Sequence, residues 1–145
     1  MGRVNMKRVV LGGIVAALVV NVFEGVFGFL MKDEWEAALR NLGVELTPGP
    51  AVFLPILWSI VVGVLAVWLY AAIRPRYGPG PKTAIRAALA VWAFSTVTFA
   101  IAMGSLGIFP TKLVALMTVW SLFEVIVAML VGARIYREDD SRAIS

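Results

Sequence analysis

The sequence predicts an all-α integral membrane protein, a bundle of four transmembrane helices with both termini in the cytoplasm and a short amphipathic helix on the outer surface. Three observations predict it. Hydrophobic residues make up 61% of the 145 residues and charged ones only 15%, against roughly 25% charged in soluble domains. Four apolar stretches, about 9–31, 51–73, 84–103 and 111–136, each suffice to cross a hydrocarbon core of roughly 30 Å. The basic residues are also unevenly divided among the connecting segments.

The first stretch follows Arg3, Lys7 and Arg8, a start that a secretory leader would share. Its apolar run is too long for a leader, contains Glu24 and lacks a small-x-small cleavage site, so a retained helix is expected. Pro50 and Pro55 suit the start of the second helix and Pro110 the first turn of the fourth. Residues 104–110 alone join the third and fourth spans, which dictates an antiparallel hairpin. No linker or low-complexity segment divides residues 1–145, so a single transmembrane domain is expected.

Of 13 basic residues, ten fall in the N-terminal segment, the loop between spans two and three, and the tail, as Arg3, Lys7, Arg8, Arg74, Arg76, Lys82, Arg86, Arg134, Arg137 and Arg142. The other side holds Lys32, Arg40 and Lys112 with Asp33, Glu34, Glu36 and Glu45. The positive-inside rule then places both termini in the cytoplasm, with a bacterial cytoplasmic membrane as the expected location. The net charge of +4 is thereby a topology signal, and no nucleic-acid partner is expected.

Between spans one and two, Trp35, Ala38, Leu39 and Leu42 follow helical spacing, with Asp33 placed to cap alongside Glu36 and Gly43 to close the end. This is either a surface helix with Trp35 at headgroup depth or a connector that packs on the bundle. The loop Arg74-Pro75-Arg76-Tyr77-Gly78-Pro79-Gly80-Pro81-Lys82 is expected to be non-helical, because prolines and glycines crowd it. Its cations, Arg74, Arg76, Lys82 and Arg86, are candidates for anionic lipid headgroups, each worth about 1 kcal/mol near the surface. They serve equally as ordinary positive-inside residues around a turn.

Glu24 and Glu124 are the only ionisable side chains deep inside the spans. An ionised carboxylate in hydrocarbon costs at least a few kcal/mol, so such groups face a bundle interior or water. Their settings match: Asn21-x-x-Glu24-x-x-x-Gly28 and Ser121-x-x-Glu124-x-x-x-Ala128. Gly13, Ala17, Asn21, Glu24 and Gly28 form one helical stripe; Ser121, Glu124, Ala128 and Gly132 form another. Small residues every fourth position allow close helix approach, so spans one and four are expected to pack through these faces. Glu24, Glu124, Asn21 and Ser121 are the candidate site, either as interhelical hydrogen bonds made by neutral carboxyls or as a proton or cation site. If the carboxyls meet, mutual repulsion favours one proton shared between them.

Ser95, Thr96 and Thr98 in the third span are expected to bond their own helix carbonyls. Ser59-x-x-x-Gly63 reads as a packing face of the second span. Trp58, Trp92 and Trp120 lie deep in their spans, as core packing or as the lining of a cavity for a cationic or flat ligand. Histidine and cysteine are absent, which removes imidazole and thiolate chemistry. No metal, cofactor, phosphate loop or nucleophile–base pair is expected, and hence no enzyme.

Four spans in a short chain with a first-span carboxylate resemble the small multidrug resistance transporters in architecture, with Leu11-Gly12-Gly13-Ile14 as the local likeness. Glu24 stands further along the span than that family's glutamate. Glu124, the outer loop over 32–50 and the proline-rich inner loop also depart from its pattern, so the chain is not placed in it. The functional expectation is a non-enzymatic accessory, assembly or structural subunit, partnered by the bilayer and by a homo-oligomer or larger membrane complex. The alternative is a small proton-coupled transporter acting as an oligomer through Glu24 and Glu124.

Overall fold

A computed structural model describes residues 4–45 and 49–136; Arg3, Arg137 and Arg142, three of the ten basic residues on the terminal side, lie outside them. The described residues form helices α1 (Met6–Leu30), α2 (Lys32–Asn41), α3 (Pro50–Tyr77), α4 (Pro81–Ser105) and α5 (Thr111–Ile135), with no strand among them. All but α2 are long and apolar enough to cross a membrane.

Local chemistry sets the boundaries. Asn5 caps α1 by accepting the Arg8 N–H at 3.1 Å, satisfying one orphan donor of the first turn. Met31 alone separates α1 from α2. It occupies the cap position without a side-chain bond, so Asp33 sits inside the first turn rather than capping it as expected. Gly43, at φ 65°, ends α2 in the left-handed region. Pro81 opens α4 in the first turn, where its missing N–H costs nothing.

The loop over 74–82 is shorter than the sequence predicts. Helix α3 runs through Pro75 to Tyr77, and Lys82 already belongs to α4, leaving residues 78–80 as the turn. A proline in a last turn removes one helical bond, and the Gly78 N–H still reaches the Arg74 carbonyl at 2.8 Å. The buried Thr83 hydroxyl donates to the Gly78 carbonyl at 2.7 Å, and the Gly80 N–H donates to the Tyr70 hydroxyl at 3.2 Å.

The four long helices alternate in direction. The start of α1, the end of α5 and the α3–α4 turn lie together, where Tyr136 packs edge-on to Tyr70 at 6.0 Å and the Arg74 guanidinium sits 5.7 Å from its ring centroid. Packing is densest in this terminal half, around Val9, Val67, Ala84, Ala87, Ala88 and Met129. Helix α1 makes two backbone-close crossings there. A Cβ on Gly12 would stand 2.7 Å from the Gly132 carbonyl oxygen of α5, and one on Gly63 of α3 would collide with the Gly13 carbonyl. Only glycine permits such approach.

The far half is open. Phe29, Phe94, Trp58 and Leu106 are each at least 66% exposed. Helix α4 contributes to this through a π-helical segment, Ala93–Val97. Such bulges kink helices. Before the segment α4 packs against both α3 and α5; after it, α4 leans on α5 and parts from α3. At the far end α2 lies on the bundle, with Ala38 buried and Trp35 stacked on Phe109 of the α4–α5 connection, centroids 5.4 Å apart and planes at 11°.

Candidate functional site

Inside the bundle lies a cavity of about 630 Å³, bounded by all four long helices. Among the described residues, Glu24 and Glu124 are the only titratable groups on its wall, accompanied by Asn21, Ser59, Ser95, Thr96 and Ser121. Everything else lining it is apolar or aromatic, including Phe27, Trp58, Phe99 and Trp120.

The two carboxyls come together although their helices place them at different depths. With Gly12 opposite Gly132, equal steps along the antiparallel helices set Glu24 level with Trp120 and Glu124 level with Val20. That is a stagger of one turn, roughly 6 Å of helical rise. Each Cα–Cβ bond leans towards its own helix N-terminus. Glu24 therefore leans towards the terminal half and Glu124 towards the far half, and the side chains close the stagger until the carboxyls interact directly. Antiparallel side-chain tilt thus compensates the one-turn difference in depth.

Their surroundings differ. Glu124 is buried at 3% exposure, and no amide, hydroxyl or indole among the described residues donates to its Oε2; its neighbour is the Glu24 carboxyl. Glu24 is exposed and stands beside a ring cluster in which Phe23 and Phe27 pack on Trp120 at 5.9 and 5.6 Å. The buried Trp120 Nε1–H also lacks an acceptor among the described residues.

Asn21 and Ser121 line the cavity but make structural bonds. The Asn21 amide donates to the Ala17 carbonyl and to the buried Ser59 hydroxyl, both at 2.7 Å, and Ser59 donates to the Ile56 carbonyl. Ser121 donates to the Thr118 carbonyl at 3.0 Å and accepts from Trp92 Nε1 at 3.2 Å. Asn21 thus fastens α1 to α3, and Ser121 fastens α5 to α4. Ser95 and Thr98 bond back to the Val91 and Ala93 carbonyls, as expected of membrane hydroxyls.

The small-residue stripe of α1 divides in two. Gly13 and Asn21 face α3, while Gly12 and Ala16 approach Gly132 of α5. A Cβ added to Gly28 would meet no atom within 4 Å, so this residue packs against nothing. Gly12, Ala16 and Ser59 complete the frame of the site, although the glutamate motifs do not single them out. Ser59 is legible in the sequence as part of a packing face of the second span, whereas Gly12 and Ala16, one position off the glutamate stripe, gain a role only once two partner helices are known.

Arg74, Arg76, Lys82 and Arg86 gather at the terminal end, beyond Ala66 and Val91, the cavity-lining residues nearest to them along their helices. Arg86 lies 4.7 Å over the Tyr77 ring and Arg74 beside Tyr136; Arg76 and Lys82 are exposed. They take no part in the carboxyl site. No group of three or more metal-ligating side chains occurs among the described residues.

Chemically, a carboxyl pair in contact within apolar walls can hold two protons, or give one up for a cation and share the other. Compared with known proteins, the chain matches no family model, no curated sequence and no solved structure.

Proposed function

We propose that the protein binds a cation in the bundle cavity in exchange for protons on Glu24 and Glu124, the site chemistry of a small proton-coupled carrier. The observation that carries this reading is the direct meeting of two carboxyls on the wall of a cavity large enough for a small molecule. Ligand sites commonly occupy about 300–1,000 Å³ and combine apolar walls with a few polar groups. A subunit that used its glutamates only to knit helices would gain nothing from leaving Glu24 exposed beside such a space. The charge distribution supports placing the terminal end, with the Arg74–Arg86 cluster, in the cytoplasm, where these cations can meet anionic headgroups.

The test couples stability to proton exchange. Glu124→Gln keeps the shape and hydrogen-bonding capacity, so thermal stability in detergent should hold. Glu124→Ala leaves Glu24 without its neighbour and should cost on the order of 1 kcal/mol. Wild-type protein should release protons on binding an organic cation, read calorimetrically in buffers of different ionisation enthalpy, and Glu124→Gln should not. Absence of proton release from wild type, with benign Gln and damaging Ala variants, would overturn the carrier reading in favour of an accessory or structural subunit.

A further inference from the structure

Resting on that reading, we infer that the ligand is a lipophilic organic monocation and that it enters sideways from the bilayer, through the gap between α3 and the far half of α4. The class follows from the walls. With both carboxyls protonated the pair is neutral; giving up one proton leaves it a single negative charge. Among the described residues no lysine or arginine lines the cavity to alter that balance. A calcium or magnesium ion would need six or more oxygen ligands, whereas most of this surface is aliphatic or aromatic. Trp58, Trp120, Phe27 and Phe99 line the cavity and supply the aromatic groups that attract a cation and the apolar area for the body attached to it.

The route follows from the mouth. Trp58 and Phe99 line the cavity yet are 66% and 52% exposed, so they stand at its opening rather than within it. They belong to α3 and α4, the two helices that separate after the π segment. Trp58 lies eight residues from the start of α3 and Phe99 six from the end of α4, so roughly 9–12 Å from the far ends of their helices. That depth is in hydrocarbon, below the headgroups. Glu24, exposed on the same cavity, is the carboxyl an entering cation meets first, and buried Glu124 is the second.

The experiment uses the full chain in lipid nanodiscs and three probes: benzyltrimethylammonium, its uncharged isostere neopentylbenzene, and tetramethylammonium. The first should bind at least tenfold tighter than either other, and Glu124→Gln should abolish the difference from the isostere. Nitroxide labels at Trp58→Cys and Phe99→Cys, introduced singly into this cysteine-free chain, report the route independently of binding. Both should collide more with oxygen, which concentrates in lipid, than with a water-soluble nickel chelate.

Equal affinity for tetramethylammonium, or labels dominated by the nickel chelate, would overturn the lipophilic class or the lateral entry while Glu-dependent cation binding stands. Failure of every cation to bind would instead sink the proton-exchange reading beneath it. Competition by an amine-headed phospholipid would identify the monocation as a lipid headgroup; its absence, with benzyltrimethylammonium still bound, would identify a free molecule of the same chemistry.

Discussion

The two halves of the bundle are made from the same apolar alphabet and behave oppositely. In the terminal half, glycines and alanines let α1 touch both α3 and α5 backbone to backbone, and side chains such as Val9, Val67 and Ala87 are fully buried. In the far half, valines, phenylalanines and tryptophans stand exposed, and Gly25 and Gly28 touch nothing. Hydrophobicity puts both halves in the membrane; residue size decides which one closes. The carboxyl pair sits at the border, Glu124 on the packed side and Glu24 on the open one.

Substitutions that ignore this border should break the comparison most. Gly132→Leu forces a side chain against the Gly12 carbonyl, 2.8 Å from a Cβ there, and should destabilise by about 3 kcal/mol in equilibrium unfolding in mixed micelles. A loss below that of an ordinary surface change would mean the crossing is not tight. Asn21→Leu removes the tie from α1 to α3 while Ser59 keeps its bond to Ile56. It should cost about 1 kcal/mol by the same measurement, and a neutral result would show that this bond adds nothing to packing.

Smaller effects belong to the far half. Trp35→Leu retains apolar bulk but loses the stack on Phe109, worth about 0.8 kcal/mol. Amide exchange should rise in α2 and the α4–α5 connection while the terminal half stays protected; uniform loosening would contradict the division. Gly28→Ala, with open space around it, should stabilise by about 0.4 kcal/mol. Destabilisation there would mean that the far half closes in the membrane.

The spans were legible because length and hydropathy are properties of single helices. Expected and observed boundaries agree within a few residues, except where α3 continues through Pro75. The glutamates were legible as cavity or packing residues because burying charge is costly wherever it occurs. Their meeting was not, since it depends on the Gly12–Gly132 register between two helices from opposite ends of the chain. The roles of Asn21 and Ser121 were also hidden. Ser59 and Trp92, which hold them, come from helices that the glutamate motifs do not mention. Nothing in Ala93-Phe94-Ser95-Thr96-Val97 announces a π turn, because its cause lies in how α4 fits its neighbours.

That π turn carries a residue more than the α turn it replaces. Elsewhere in the spans, deleting a residue would swing every later side chain by about 100° and ruin the packing. Here a deletion can be absorbed, because an ordinary α turn would take up the missing residue and leave the flanks facing as before. Phe94, 84% exposed, is the residue whose loss disturbs least. Chain length at this point is thus an adjustable dimension of the fold: shortening α4 by one residue should preserve the bundle while withdrawing Ser95 and Thr96 from the cavity wall.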